Sequence, residues 1–223
     1  PAARAAPQAH PAPVTAPAVH REVSARARVP VLRVLGEVEA SLQTTRYVHS
    51  TEIDEEEGRY EFDCSGMASW VLRRAAPRAA HEVMVQNGRG RPVARDFHDV
   101  MVSAPPRASR QSAWQRVTRV GDLRPGDVIA WRRPSTVASL HTGHVAFVVS
   151  APTRAEGGWR VRVADATSIP HEDDTRGVGR PHRSGFGYGT ILVTVDPDND
   201  SPRAYGWFGS RTRIFFHTTI SMG

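Results

Sequence analysis

A single cysteine, Cys64, stands in the run Asp63-Cys64-Ser65-Gly66, just ahead of Met67, Trp70 and Val71 at helical spacing. A thiol in the first turn of a helix meets unpaired backbone N–H groups, which favour its thiolate form. The same N–H groups suit an oxyanion forming on an attacked carbonyl. A lone cysteine on a partly apolar helix also fits a small core residue. His144 opens the apolar run Val145-Ala146-Phe147-Val148-Val149, where its ring can project from a strand edge toward a helix start and exchange a proton with the thiol. His141, three residues earlier, is the rival for that task and otherwise belongs to a turn. Asp165 is in phase with Val161 and Val163, while Arg160 and Arg162 fall on the alternate face. An inward carboxylate needs a partner, and an imidazole on the adjacent strand would supply one, with the acid fixing its tautomer. Alternatively Asp165 lies past the strand end and opens a turn with Thr167 and Ser168. A bulge near Ala164 would also reverse its phase.

Positioning these groups requires a helix before a sheet. Val31, Leu32, Val34, Leu35, Val38 and Leu42 recur at helical spacing and predict a helix ending near Thr44 or Thr45. The acidic stretch Glu52 to Glu57, closed by Gly58, reads as a solvated loop or as a charged rim on a groove. Asp63 is a suitable N-cap for the cysteine helix, and Pro77 stops that helix. A third helix is expected from Pro92 through Met101. The second half reads as strands: Val128 to Trp131 after the turn Pro125-Gly126-Asp127, then 145–149, 159–163, 191–195 and 213–218. Asp127 is expected to bond backbone within its turn. Helices followed by antiparallel strands give an α+β fold.

Residues 1–30 are Ala/Pro-rich, with six prolines and no apolar periodicity, and read as a disordered tail or linker. Residues 31–223 form the expected domain. The Ala/Pro composition is of the kind that follows a cleaved export signal, so export is the expectation. The chain has 223 residues and one Cys, which excludes a disulfide scaffold, and no apolar run approaches the ~20 residues of a membrane span. All 29 basic residues are Arg, and the net charge is +6. They are scattered rather than gathered on one helix, so no dedicated nucleic-acid site is expected. Residues 170–190 read as a long solvated loop covering one side of a groove. Its His171, Glu172, Asp173, Asp174 and His182 lack a recognised metal spacing, and neither metal nor cofactor is expected.

Three blocks in order, Asp63-Cys64-Ser65-Gly66, then 121–129 (Gly-Asp-Leu-Arg-Pro-Gly-Asp-Val-Ile), then 143–149 (Gly-His-Val-Ala-Phe-Val-Val), resemble the signature of the NlpC-like cysteine peptidases of the papain superfamily. The likeness extends over roughly residues 45–170. It implies a papain-like fold, with the cysteine-bearing helix packed on a small antiparallel sheet, and a monomer cleaving peptidoglycan stem peptides after γ-D-glutamyl. It implies Cys64 as nucleophile and His144 as base. The family's third residue, usually another His, corresponds to the segment holding Asp165, which is a departure. Tyr47 corresponds to a family Tyr near the substrate carbonyl, and Asp63 and Ser65 flank the nucleophile as substrate-side residues. A transglutaminase-like acyl transferase shares the order Cys, His, Asp. An inactive papain-like binding module is the non-enzymatic alternative.

Overall fold

The computed structural model describes residues 29–86, 88, 90–209 and 213–223. The expected tail at 1–30 lies outside the described residues up to position 28. Pro30 already belongs to the fold, as the first residue of helix α1 (Pro30–Ser41), where its missing N–H costs nothing. Val31, Leu32, Val34, Leu35 and Val38 are buried along one stripe. The helix stops at Ser41, earlier than its apolar spacing suggests, because Thr44–Arg46 becomes strand β1. The acidic stretch is not a simple loop either. Strand β2 (Glu52–Asp54) turns through Gly58 (φ +63) into β3 (Arg59–Glu61), and β1 pairs with β3 in parallel.

Helix α2 (Cys64–Ala75) carries the thiol at its first position and ends before Pro77. Pro77 then opens a further helix, α3 (Pro77–Gln86), that the sequence did not announce. A proline that terminates one helix is equally at home in the first turn of the next. Helix α4 (Ala94–Ser103) begins two residues after Pro92, with the Asp96 carboxylate accepting the Val93 N–H at 2.9 Å.

The remaining strands are β4 (Val128–Arg132), β5 (Gly143–Val148), β6 (Thr153–Ala155), β7 (Gly158–Thr167), β8 (Gly185–Val195), β9 (Pro202–Gly206), β10 (Phe215–His217) and β11 (Ile220–Met222). They form a curled antiparallel sheet in the order β10-β9-β8-β7-β5-β4-β11, with β6 on β7. The protein is therefore α+β, and its sheet of eight strands is larger than the small one expected.

Helix α2 packs against β5 and β7. One core joins the helices to Val145, Phe147, Ala164 and Ala166, and a second lies on the opposite face around Ala146, Val148, Val161 and Val163. The alternating pattern of β7 was expected to leave one face wet, but its C-terminal half is buried on both faces. Ala164 and Ala166 are small enough for α2 to lie close over them. Pairing between β7 and β8 runs unbroken from Gly158↔Thr194 to Thr167↔Gly185. No bulge intervenes at Ala164, and Asp165 keeps the phase of Val161 and Val163.

Candidate active site

The cap of α2 is built from its own sequence. Asp63 Oδ1 accepts the Gly66 N–H at 2.7 Å and the Ser65 hydroxyl at 2.8 Å, while the Asp63 carbonyl accepts the Met67 N–H. Its other carboxylate oxygen pairs with the Arg91 guanidinium at 2.6 Å and faces His49 Nδ1 at 3.6 Å. The cap's negative charge is thus engaged by Arg91 rather than directed at the neighbouring sulfur. Asp63 and Ser65 are both buried and bonded to each other, so they hold the loop at Cys64 instead of presenting side chains to a groove. The N–H groups at the first positions of α2 lack intrahelical acceptors, and Cys64 is the first residue of that turn.

His144 lies directly opposite Trp131 in the β4–β5 pair. Gly143 before it has φ +145, and a Cβ there would fall 1.9 Å from the Trp131 carbonyl, so only glycine lets the strand enter at this height. The His144 ring is buried between the Trp131 ring, 5.0 Å away, and the edge of Trp207, 4.9 Å away. Nε2 donates to Asp165 Oδ2 at 2.5 Å, and the ring lies near enough to the Cys64 side chain for its protonation to respond to the charge there. With Nε2 occupied, Nδ1 is the nitrogen left for sulfur. Burial alone would lower this imidazole's pKa, but the charges of Cys64 and Asp165 prevail and raise it to about 9. His141 lies outside this chain of contacts, and its pKa is lowered by burial and by the neighbouring cations of His144, Arg133 and His49.

Asp165 is completely buried and serves three donors. His144 and His171 share Oδ2, the latter at 2.7 Å, and Arg176 Nη2 reaches Oδ1 at 2.7 Å. Burial opposes its ionisation, but the surrounding His171, Arg176 and His144 donors hold the carboxyl well below the usual range. Arg176, also buried, spends every N–H: Nε and Nη2 on Asp174, Nη1 on the Asp165 and Gly185 carbonyls, and Nη2 again on Asp165. Asp174 in turn accepts the backbone N–H groups of His171 and Arg176. Burial lowers the His171 pKa despite the attraction of Asp165. Its neutral ring gives Nε2–H to Asp165, leaves Nδ1 without a partner and lies against Trp207 at 3.9 Å.

These contacts correct the picture of a solvated loop at 170–190. Strand β8 already starts at Gly185, and His171, Asp174 and Arg176 are interior. The segment runs along β8 beyond the reach of β9: the Thr190 N–H donates to the Glu172 carbonyl and the Thr175 N–H to the Tyr188 carbonyl. A sequence signal for this exists in Gly185-Phe186-Gly187-Tyr188-Gly189. Glycines two apart leave one face of a strand without side chains. A Cβ on Gly189 would strike His171 at 2.6 Å, and one on Gly187 would strike Arg176 at 2.6 Å. Those bare positions are where the two buried side chains sit.

His144, Asp165 and His171 bring three potential metal ligands together. The spacing fits hydrogen bonds and not a cation. Tetrahedral ligands about 2.0–2.1 Å from zinc stand roughly 3.3 Å apart, whereas Asp165 Oδ2 is 2.5 Å and 2.7 Å from the two imidazole nitrogens. Arg176 already supplies the local positive charge.

Tyr47 is half-buried beside the site, with its N–H donating to Ser184 Oγ at 3.2 Å. Burial, with the negative charges of Cys64 and Asp63, pushes its phenol pKa up, so it stands near the sulfur as a neutral hydroxyl. Asp127 accepts the Arg124 N–H within its turn at 2.8 Å. Among the described residues no helix is long and apolar enough to cross a membrane. A thiol at a helix start, an imidazole coupled to it and a buried carboxylate bonded to that imidazole are groups whose chemistry suits acyl transfer through sulfur. Comparison of the chain with protein-family models, with curated proteins and with solved structures returns no match.

Proposed function

We propose that the protein is an exported thiol hydrolase with a papain-like core, cleaving amide bonds in peptidoglycan stem peptides. The observation that carries the chemistry is the 2.5 Å bond from His144 Nε2 to Asp165 Oδ2, with the ring electrostatically coupled to the thiol at the first position of α2. Sulfur attacks the amide carbonyl, and the oxyanion forms beside the N–H groups of that turn. His144, carrying a proton, gives it to the nitrogen as the C–N bond breaks and the amine departs. Water then attacks the thioester, His144 takes its proton, and the thiolate leaves the acyl group as a carboxylate. Asp165 keeps Nε2 protonated and Nδ1 aimed at sulfur throughout. In this mechanism Tyr47 donates to the substrate carbonyl, while Asp63 and Ser65 contribute by fixing the oxyanion turn.

The wall substrate, and cleavage after γ-D-glutamyl, rest on the resemblance of the three sequence blocks. Mass spectrometry of purified wall fragments tests both parts. The wild type is expected to release the peptide products, and Cys64→Ser to lower the rate by about 10⁴-fold or more with an unchanged melting transition. If wild-type protein cleaves no fragment, the wall hydrolase is excluded and a binding module remains.

A further inference from the structure

A cavity of about 410 Å³ opens on the side of His144 away from the helices. Its walls include Trp131, Tyr205 and Trp207, and Trp131 stacks on Tyr205 at 4.4 Å. The basic groups on its lining are His49, Arg133 and His141 in addition to His144, and no carboxylate is among the lining residues. Arg133 is held at the rim by a hydrogen bond from Nη1 to the Ser139 carbonyl. The nearest acid behind His49 is Asp63, already paired with Arg91 at 2.6 Å. Mutual repulsion among the cations here also helps to keep His141 deprotonated, after the larger effect of burial.

In the acyl-transfer chemistry proposed above, the imidazole that protonates the leaving nitrogen stands on the leaving-group side of the sulfur. We infer that this cavity receives the leaving amine, and that this amine carries a flat or branched apolar group together with a carboxylate. Aromatic walls take the apolar body, and Arg133, the permanent cation on the lining, favours an anion over a neutral or cationic end. The inference rests on the hydrolase mechanism for the word "leaving", but the selectivity of the cavity does not.

Binding without turnover separates the two. Full-length protein carrying Cys64→Ala is titrated with 3-phenylpropanoate, its neutral amide and 2-phenylethylammonium, read by tryptophan fluorescence from Trp131 and Trp207. The carboxylate is expected to bind about tenfold more tightly than the amide, and the ammonium weakest. Arg133→Gln removes the preference without changing the affinity for the amide. Ile169→Glu, which adds a carboxylate to the cavity wall, reverses the order toward the ammonium. Equal affinities, a preference for the ammonium in the parent protein, or no saturation by any probe overturns the inference. If the probes follow the expected order while the wild type hydrolyses no amide, the hydrolase mechanism fails and the anion-selective aromatic cavity stands.

Discussion

Replacing Arg176 by Met is expected to cost about 3–5 kcal/mol of folding stability, because it leaves buried charge without its partner. Among the described residues the guanidinium is the only cation bonded to both Asp165 and Asp174, whose side chains are 0% and 2% exposed. Removing it strips one side-chain donor from Asp165 and two from Asp174, both of them buried carboxylates. The loss should lower the melting temperature by roughly 10 °C or more, measured by calorimetry or by urea titration. Asp174→Asn combined with Arg176→Met should recover part of the loss, since one of the stranded charges is then gone. A change below about 1 kcal/mol in the single variant would show that the network beneath Asp165 is not holding the fold.

Replacing His144 by Ala has its largest effect on chemistry. The imidazole is the base whose protonation responds to the charge on Cys64, and in the proposed mechanism it also supplies the proton for the departing amine. Losing both tasks should reduce kcat/KM for amide cleavage by about 10⁴-fold. The stability change should be smaller than for Arg176→Met, because Asp165 keeps His171 and Arg176 as donors. Activity within tenfold of the wild type would remove His144 from the mechanism.

Much of the candidate site's geometry was legible because it is written in local patterns. An N-cap aspartate before a cysteine marks a helix start, and the β7 alternation gives the side on which Asp165 must lie. The support beneath Asp165 was harder to read, because His171 and Arg176 come from an irregular segment with no period of its own. Its charged composition resembles that of a surface loop. The information lies in the strand it covers, where Gly187 and Gly189 vacate the room that the imidazole and guanidinium fill. Helix α3 was hidden for a similar reason, since Pro77 signals an end and a beginning equally well. The two-sided burial of β7 depends on which helix crosses Ala164 and Ala166, a fact of tertiary packing that no alternation of residue types encodes.

The most direct test is the rate at which iodoacetamide alkylates Cys64 as a function of pH, in the wild type and in His144→Ala. The chain has one cysteine, so the label reports a single site. An imidazolium raised from 6.5 to about 9 in the fold keeps its proton across the neutral range. The stability it adds is complete below the unfolded pKa and disappears as pH rises through the folded one. The wild type should therefore react roughly 100-fold faster than the variant near pH 6.5, with the difference closing above pH 9. Superimposable profiles for the two proteins would contradict the coupling of sulfur and imidazole on which the proposed chemistry depends.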